Sequence, residues 1–335
     1  MSRTKVVVAG GAGYIGSHVV RQLQRTGRYD IVVLDNLSTG HKESIPDGVA
    51  FEKGDIRDAA FLDATFAKYK PEAVFVESFI FWVGDSVKDP LSYYENNVSG
   101  TITLLQALVK HDVKYFVFSS TAAVFGYPEN DLVRETDAKD PINPYGDTKL
   151  VVEVLLKWVE QAHKIKYVCL RYFNACGADE SGEIGEDHMD ETHLIPLILQ
   201  VPLGKREHIY IFGDDYKTHD GTCIRDYVHV SDIADAHIYA VEHLTKTGKS
   251  DNFNLGSGKG YSVKEIVEAA RAVTGHAIPA QVKDRRGGDP DSLVASSEKA
   301  ETVLGWKRKY ATINDIVASA WKWHTTHPQG YRTPK

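Results

Sequence analysis

Tyr145 and Lys149 are the residues whose types and spacing most directly suggest chemistry. They lie four apart in Asn143-Pro144-Tyr145-Gly146-Asp147-Thr148-Lys149, and Pro144 is suited to the first turn of a helix. On a helix that spacing stacks both side chains on one face. An ammonium beside a phenol favours the phenolate and lowers its pKa from a reference near 10, which would let Tyr145 act as a base near neutral pH. Thr121 closes Phe118-Ser119-Ser120-Thr121, at the end of an expected strand, and its hydroxyl is placed to hydrogen-bond the reacting oxygen. A Tyr-x-x-x-Lys pair by itself also occurs on ordinary surface helices with a solvated lysine, so its meaning depends on what precedes it.

What precedes it is a glycine turn. The first apolar run ends in Gly10-Gly11-Ala12-Gly13-Tyr14-Ile15-Gly16 and passes directly into a helical pattern. Glycines there permit a tight turn and let the backbone approach a pyrophosphate at the helix N-terminus. Asp35 closes the second run, 19 residues after Gly16. A carboxylate at that point accepts hydrogen bonds from both ribose hydroxyls and repels a 2′-phosphate, which favours NAD over NADP. A nicotinamidium ring near Tyr145 would stabilise the phenolate in the same sense as Lys149.

The elements that must position these groups follow from periodicity. Short runs rich in Val, Ile, Phe and Tyr recur at 5–9, 31–34, 73–76, 115–119 and 167–170, with helix-length stretches between most of them. Tyr14–Thr26 carries a helical stripe of Ile15, Val19, Val20 and Leu23, and Leu104, Leu105, Leu108 and Val109 make another. The alternation predicts an α/β fold, a doubly wound, Rossmann-like parallel sheet, over residues 1–175. The acidic stretch 179–187 opens a smaller mixed α/β lobe over 176–335, with some interleaving of chain between the two and a pocket where they meet.

The chain has 335 residues with 39 Lys+Arg against 46 Asp+Glu, a formal net charge of −7. No broad positive field exists for nucleic acid, so a polyanionic ligand must be met by local groups. Cys169, Cys176 and Cys223 show no CxxC spacing and predict buried thiols rather than disulfides or cysteine–metal sites. The first apolar run is too short for a signal-peptide core, and no segment reaches the ~18–20 apolar residues of a membrane span, so a cytoplasmic protein without membrane partners is expected.

Gly10-x-x-Gly13-x-x-Gly16 and Gly54-Asp55-Ile56-Arg57-Asp58 resemble the extended short-chain dehydrogenase/reductase superfamily. Further blocks resemble the UDP-glucose (UDP-galactose) 4-epimerase family within it: Arg171-Tyr172-Phe173-Asn174, His193-Leu194-Ile195-Pro196, Phe212-Gly213-Asp214-Asp215-Tyr216, Ile224-Arg225-Asp226-Tyr227 and Arg285-Arg286-Gly287-Gly288-Asp289. The resemblance implies NAD held by Gly10, Gly13, Tyr14, Ile15 and Gly16, by Asp35, Asn36, Ser38, Asp55 and Ile56, and by Asn96, Tyr145, Lys149 and Tyr172. It implies a UDP-sugar substrate held by Thr121, Phe173, Asn174, His193, Leu194, Phe212 and Tyr227, with Arg225 and Arg286 on the diphosphate and Asp289 on the ribose. Tyr145, Lys149 and Thr121 would be catalytic, through a transient 4-keto sugar, in a homodimer.

One segment departs from that pattern. Where the family reads close to HFAGLKAVGES, this chain has Val76-Glu77-Ser78-Phe79-Ile80-Phe81-Trp82 before rejoining at Val83. Phe79 replaces a small residue and Phe81 a lysine that, in the family, reaches a cofactor phosphate. The departure predicts weaker NAD retention and a changed cofactor or sugar pose, whether the turn was altered by design or reshaped in a natural lineage.

Epimerases of UDP-pentoses, UDP-uronates or UDP-N-acetylhexosamines share the same features, and Leu293, where the family makes room for an N-acetyl group, does not decide among them. A 4,6-dehydratase would carry an Asp-Glu pair after Thr121, where this chain has Ala122-Ala123. A catalytically silent nucleotide-sugar-binding module is opposed by Tyr145, Lys149 and Thr121. His188 and His193, five apart, do not share a helical face, which predicts a polar loop with His193 on the substrate side and no metal. Trp321-x-Trp323 reads as the packing face of a terminal helix.

Overall fold

The structure, a computed structural model, describes residues 3–77, 79, 82–130, 132–285 and 290–332. Arg286 and Asp289, expected to hold substrate, lie outside the described residues, as do Ser78 and Phe81.

Strands β1 (Thr4–Ala9), β2 (Tyr29–Asp35), β3 (Ala50–Lys53), β4 (Ala73–Val76), β5 (Tyr115–Thr121) and β6 (Lys166–Tyr172) follow one another through the first half. Beyond them come β7 (Asn174–Cys176), β8 (Ile209–Phe212), β9 (Ile224–Arg225), β10 (Tyr227–His229), β11 (Asp251–Leu255), β12 (Tyr261–Ser262), β13 (Ala280–Lys283) and β14 (Ser292–Leu293). The main sheet has seven strands in the order β11-β6-β5-β4-β1-β2-β3, and all of its pairings are parallel. The order reverses beside β1, the place where ligands bind in open α/β sheets.

Helices α1 (Tyr14–Thr26), α2 (Ala59–Tyr69), α3 (Val83–Lys88), α4 (Pro90–Tyr93), α5 (Gly100–Lys110) and α6 (Pro144–His163) alternate with these strands. They are followed by α7 (Leu194–Leu199), α8 (Val230–Thr247), α9 (Val263–Thr274) and α10 (Ile313–Thr326). The period-2 alternation of β1 sorts them to two faces. Val6 and Val8 pack with Val19, Val20 and Leu23 of α1 and with Ile233 and Val241 of α8, while Val7 and Ala9 pack with Phe66 of α2, Leu104 of α5 and Val152 of α6. Strand β11 and helix α8 both come from beyond residue 175, so the chain returns to complete the sheet after first entering the second lobe.

That lobe has its own core, in which Ile195 and Ile198 of α7 meet Ile266 of α9 and Ile316 of α10. Trp323 is fully buried on α10, as its pattern predicted. The three cysteines are buried and form no disulfide among the described residues. No helix is long and apolar enough to cross a membrane among the described residues.

Candidate active site

The glycine turn is built as its composition requires. Gly10 sits at φ 79°, where a side chain is strained, and its carbonyl accepts from Gly13 N at 3.1 Å. α1 starts at Tyr14 with Gly13 as its N-cap. A Cβ on Gly16 would lie 2.1 Å from the Gly10 oxygen, so the helix can close onto the turn only without one. Asp35, at the end of β2, accepts from Ala12 N at 3.0 Å and from Leu37 N at 2.8 Å. Burial raises its carboxyl above the ordinary value, with these two bonds opposing the rise. Nearby, Asn36 Nδ2 donates to Asp55 at 2.9 Å, and Arg57 holds the Asp55 carboxyl well below the usual range.

These groups open onto a cavity of about 580 Å³. Its wall includes Gly10, Gly13, Tyr14, Ile15 and Gly16, then Asp35, Asn36, Ser38, Asp55 and Ile56. Asn96, Thr121, Tyr145, Lys149 and Tyr172 line it too, as do Phe173, Asn174, His193, Leu194 and Tyr227. Phe212, at the end of β8, and Arg225, on β9, are not on this wall among the described residues. Arg225 Nη1 donates to the carbonyls of Ile224 at 2.8 Å and Pro290 at 2.9 Å.

Asn143 caps α6 through Gly146 N, with Pro144 in the first turn, and so sets Tyr145 and Lys149 on the helix face that meets β5. Lys149 is 2% exposed. Its Nζ donates to Ser119 O at 2.8 Å and lies 3.1 Å from the centre of the Phe79 ring. The same ammonium is 5.6 Å from the centre of the Tyr145 ring. Burial holds Lys149 well below its ordinary pKa, against the opposing charges of Glu77 and Glu153. Burial likewise pushes the Tyr145 phenol up to about 12; its hydrogen bond with Thr121 acts in the opposite sense, and the Glu77 charge adds to the rise. The Lys149 ammonium is held against the Phe79 ring and a carbonyl of β5.

Glu77, Phe79 and Trp82 of the divergent turn line the cavity. The Glu77 side chain is 3% exposed and faces His237. Its carboxylate also accepts from the Ser119 hydroxyl and, at 3.3 Å, from Tyr172. His237 carried no signal in the sequence, because its contact with Glu77 joins α8 to the end of β4, 160 residues apart. His188 and His193, whose spacing predicted a polar loop without metal, are joined by Glu186 and Glu191, and the ligand-type atoms of the four all lie within 4.8 Å of one another. They share a loop rather than a helix, so a helical-face criterion does not apply to them.

The chain belongs to the NAD dependent epimerase/dehydratase family, whose pattern matches residues 6–256. Within that family it is similar to proteins named for one reaction. A UDP-glucose 4-epimerase of Halalkalibacterium halodurans is 55% identical over 328 residues, 98% of each chain. The UDP-glucose 4-epimerase of Brucella ovis, solved in complex with NAD, is 45% identical with a TM-score of 0.92, covering 95% of this chain and 97% of that one. The Bifidobacterium longum enzyme, solved with NAD+ and UDP, is 39% identical with a TM-score of 0.92 over 98% and 100% of the two chains.

Proposed function

We propose that the chain interconverts UDP-galactose and UDP-glucose by NAD-dependent epimerisation at C4 of the hexose. The observation that carries this reading is that one cavity is lined both by the glycine turn with Asp35 and by Tyr145, Lys149 and Thr121. The residues present fit NAD: Gly16 leaves the cradle a Cβ would fill, and Asp35 is fixed at the strand end by two backbone N–H groups. Asp35 would hold the adenosine ribose and the start of α1 the pyrophosphate, with Asn36, Ser38, Asp55, Ile56, Asn96 and Tyr172 as further contacts. NAD, when bound, supplies the hydride acceptor for C4 and a cationic ring that favours the Tyr145 phenolate.

Tyr145 removes the proton of the 4-hydroxyl, and Thr121 hydrogen-bonds the same oxygen. Lys149, anchored to Ser119 O, fixes the helix face that carries the base. The resulting 4-keto sugar turns over in the cavity and is reduced on its other face, with Tyr145 returning the proton. Binding energy from the uridine diphosphate keeps the ketose from escaping while it rotates. Phe173, Asn174, His193, Leu194 and Tyr227 are its proposed contacts, with Phe212, Arg225, Arg286 and Asp289 on the nucleotide. Residues 1–175 then serve chiefly NAD and 176–335 chiefly the nucleotide sugar, apart from α8 and β11.

A homodimer in the cytoplasm completes the reading. Val151, Val154 and Trp158 expose an apolar stripe on α6 at i, i+3 and i+7, and Ile102 of α5 is exposed as well. Three buried cysteines that form no disulfide among the described residues suit a reducing compartment.

The test is to mix the purified protein with UDP-galactose, with and without added NAD, and to assay UDP-glucose. Conversion that Tyr145→Phe lowers by about 10²–10⁴-fold is the expected result. No conversion under either condition by the folded protein would overturn the assignment.

A further inference from the structure

The loop from Glu186 to His193 folds back so that four side chains of metal-ligand type converge. His188 Nδ1 lies 3.4 Å from Glu186 Oε1 and 3.4 Å from Glu191 Oε2. His193 Nδ1 lies 3.9 Å from Glu191 Oε1 and in hydrogen-bond contact with Glu186 Oε1. Four N and O donors held tetrahedrally at Zn²⁺ distances of about 2.0–2.2 Å have donor–donor edges of about 3.3–3.6 Å. Both separations from His188 fall on that edge. The shortest is the one that opens when an ion replaces the shared proton.

The loop holds this shape through bonds outside the cluster. Thr192 N and His193 N both donate to Glu191 Oε1 at 2.7 Å, leaving Oε2 toward His188. Trp323 Nε1 donates to Glu186 O at 3.1 Å, and Tyr331 N to Asp187 Oδ2 at 2.9 Å. Donors oriented in advance by such partners are what a metal site needs.

Charge points the same way. The Glu186 and Glu191 side chains are 3% and 8% exposed, and among the described residues their ion pairs are with His188 and His193 only. Buried carboxylates need compensating charge. A divalent ion supplies it with both imidazoles neutral, which is the form that ligates. An N₂O₂ donor set suits Zn²⁺ and its first-row neighbours rather than Ca²⁺ or Mg²⁺, which take oxygen ligands. Glu186, His188 and His193 also line the main cavity, which gives an ion a route in.

We propose that Glu186, His188, Glu191 and His193 form a binding site for one divalent transition-metal ion, with Zn²⁺ as the fitting example. The ion ties the loop together just before α7 and so stiffens the cavity wall that carries His193 and Leu194. With Nδ1 on the ion, His193 can meet a sugar only through Nε2. This inference stands on the cluster geometry and does not depend on the epimerase reading.

The test strips the full-length protein with a chelator and titrates it with Zn²⁺ against a fluorescent chelating indicator, with Co²⁺ in a parallel sample. One equivalent should bind, Co²⁺ should give the intense visible band of four-coordinate geometry, and His188→Ala and Glu191→Gln should each lose at least about tenfold in affinity. His276→Ala, away from the cluster, should bind as the parent does. Absence of saturable binding in the parent protein, or affinity unchanged in both ligand variants, would show a cluster held by protons alone and overturn the proposal. The parent titration and the Co²⁺ spectrum need no variant to fold.

Discussion

Glu77 Oε1 and His237 Nε2 lie 2.8 Å apart with both side chains almost wholly removed from solvent. His237 Nδ1 lies 2.9 Å from the carbonyl of Ile233, which can only accept, so Nδ1 carries a hydrogen. The Ser119 hydroxyl oxygen lies 3.2 Å from the same Nε2. The Glu77 carboxylate, just past the end of β4, is thus met by His237, the Ser119 hydroxyl and Tyr172.

Glu77→Gln is expected to ease ionisation of Tyr145. The Glu77 charge contributes to raising the phenol, so its removal lowers that pKa and moves the acid limb of the kcat/KM profile to lower pH. Profiles of the parent and the variant with UDP-galactose check the sign. A limb that stays in place or moves to higher pH would contradict the proposed charge coupling.

Phe79→Ala is expected to improve NAD retention while lowering stability. The ring lines the cavity and covers Lys149 Nζ. Without it the ammonium can turn toward the cofactor, and one charged hydrogen bond, worth about 1.5–3 kcal/mol, tightens binding by about tenfold or more. The edge-to-face contact of Phe79 with Phe118, with ring centres 5.3 Å apart, is lost together with the cation contact, at about 1–3 kcal/mol. Fluorescence titration with NAD and a thermal melt measure the two effects separately.

Gly16→Ala is expected to abolish NAD binding. The added methyl meets the Gly10 oxygen at 2.1 Å, so either α1 retreats or the turn opens, and the pyrophosphate cradle is lost in both cases. NAD content after purification is the readout, with circular dichroism to confirm that the sheet remains.

Stability should fall as the pH drops below about 6.5. Burial holds His18 and His324 at about 4 and His229 at about 3. The unfolded chain takes up their protons below the reference value near 6.5 while the folded chain does not, at a cost of about 1.4 kcal/mol per pH unit for each. Asp226, raised to about 6 by burial, titrates in the opposite sense below that pH and offsets one of the three. Thermal melts from pH 7 to pH 5 should show the decline, and His18→Asn, which keeps a donor toward the Tyr14 carbonyl, should flatten it.

Much of the sheet was legible because its signals are local. Tyr14–Thr26 is read from its apolar stripe and forms a helix over those same residues, and Pro144 opens α6. β3 was not anticipated, since Ala50–Lys53 is short and only partly buried. The seventh strand, Asp251–Leu255, was not recognised either, because its place beside β6 is a matter of topology and not of spacing.

The sequence alone determined the glycine turn, Asp35, the Tyr145/Lys149 spacing and the divergent turn, since each depends on residue type within a few positions or on the end of one strand. Tertiary structure decided where the charges went. It set Lys149 under Phe79, paired Glu77 with His237 of a distant helix, and gathered Glu186, His188, Glu191 and His193 from a loop with no helical period. The physical reason is common to all three. Periodicity reports which way a side chain leaves its own element, whereas pairing and burial depend on what the rest of the chain packs against it.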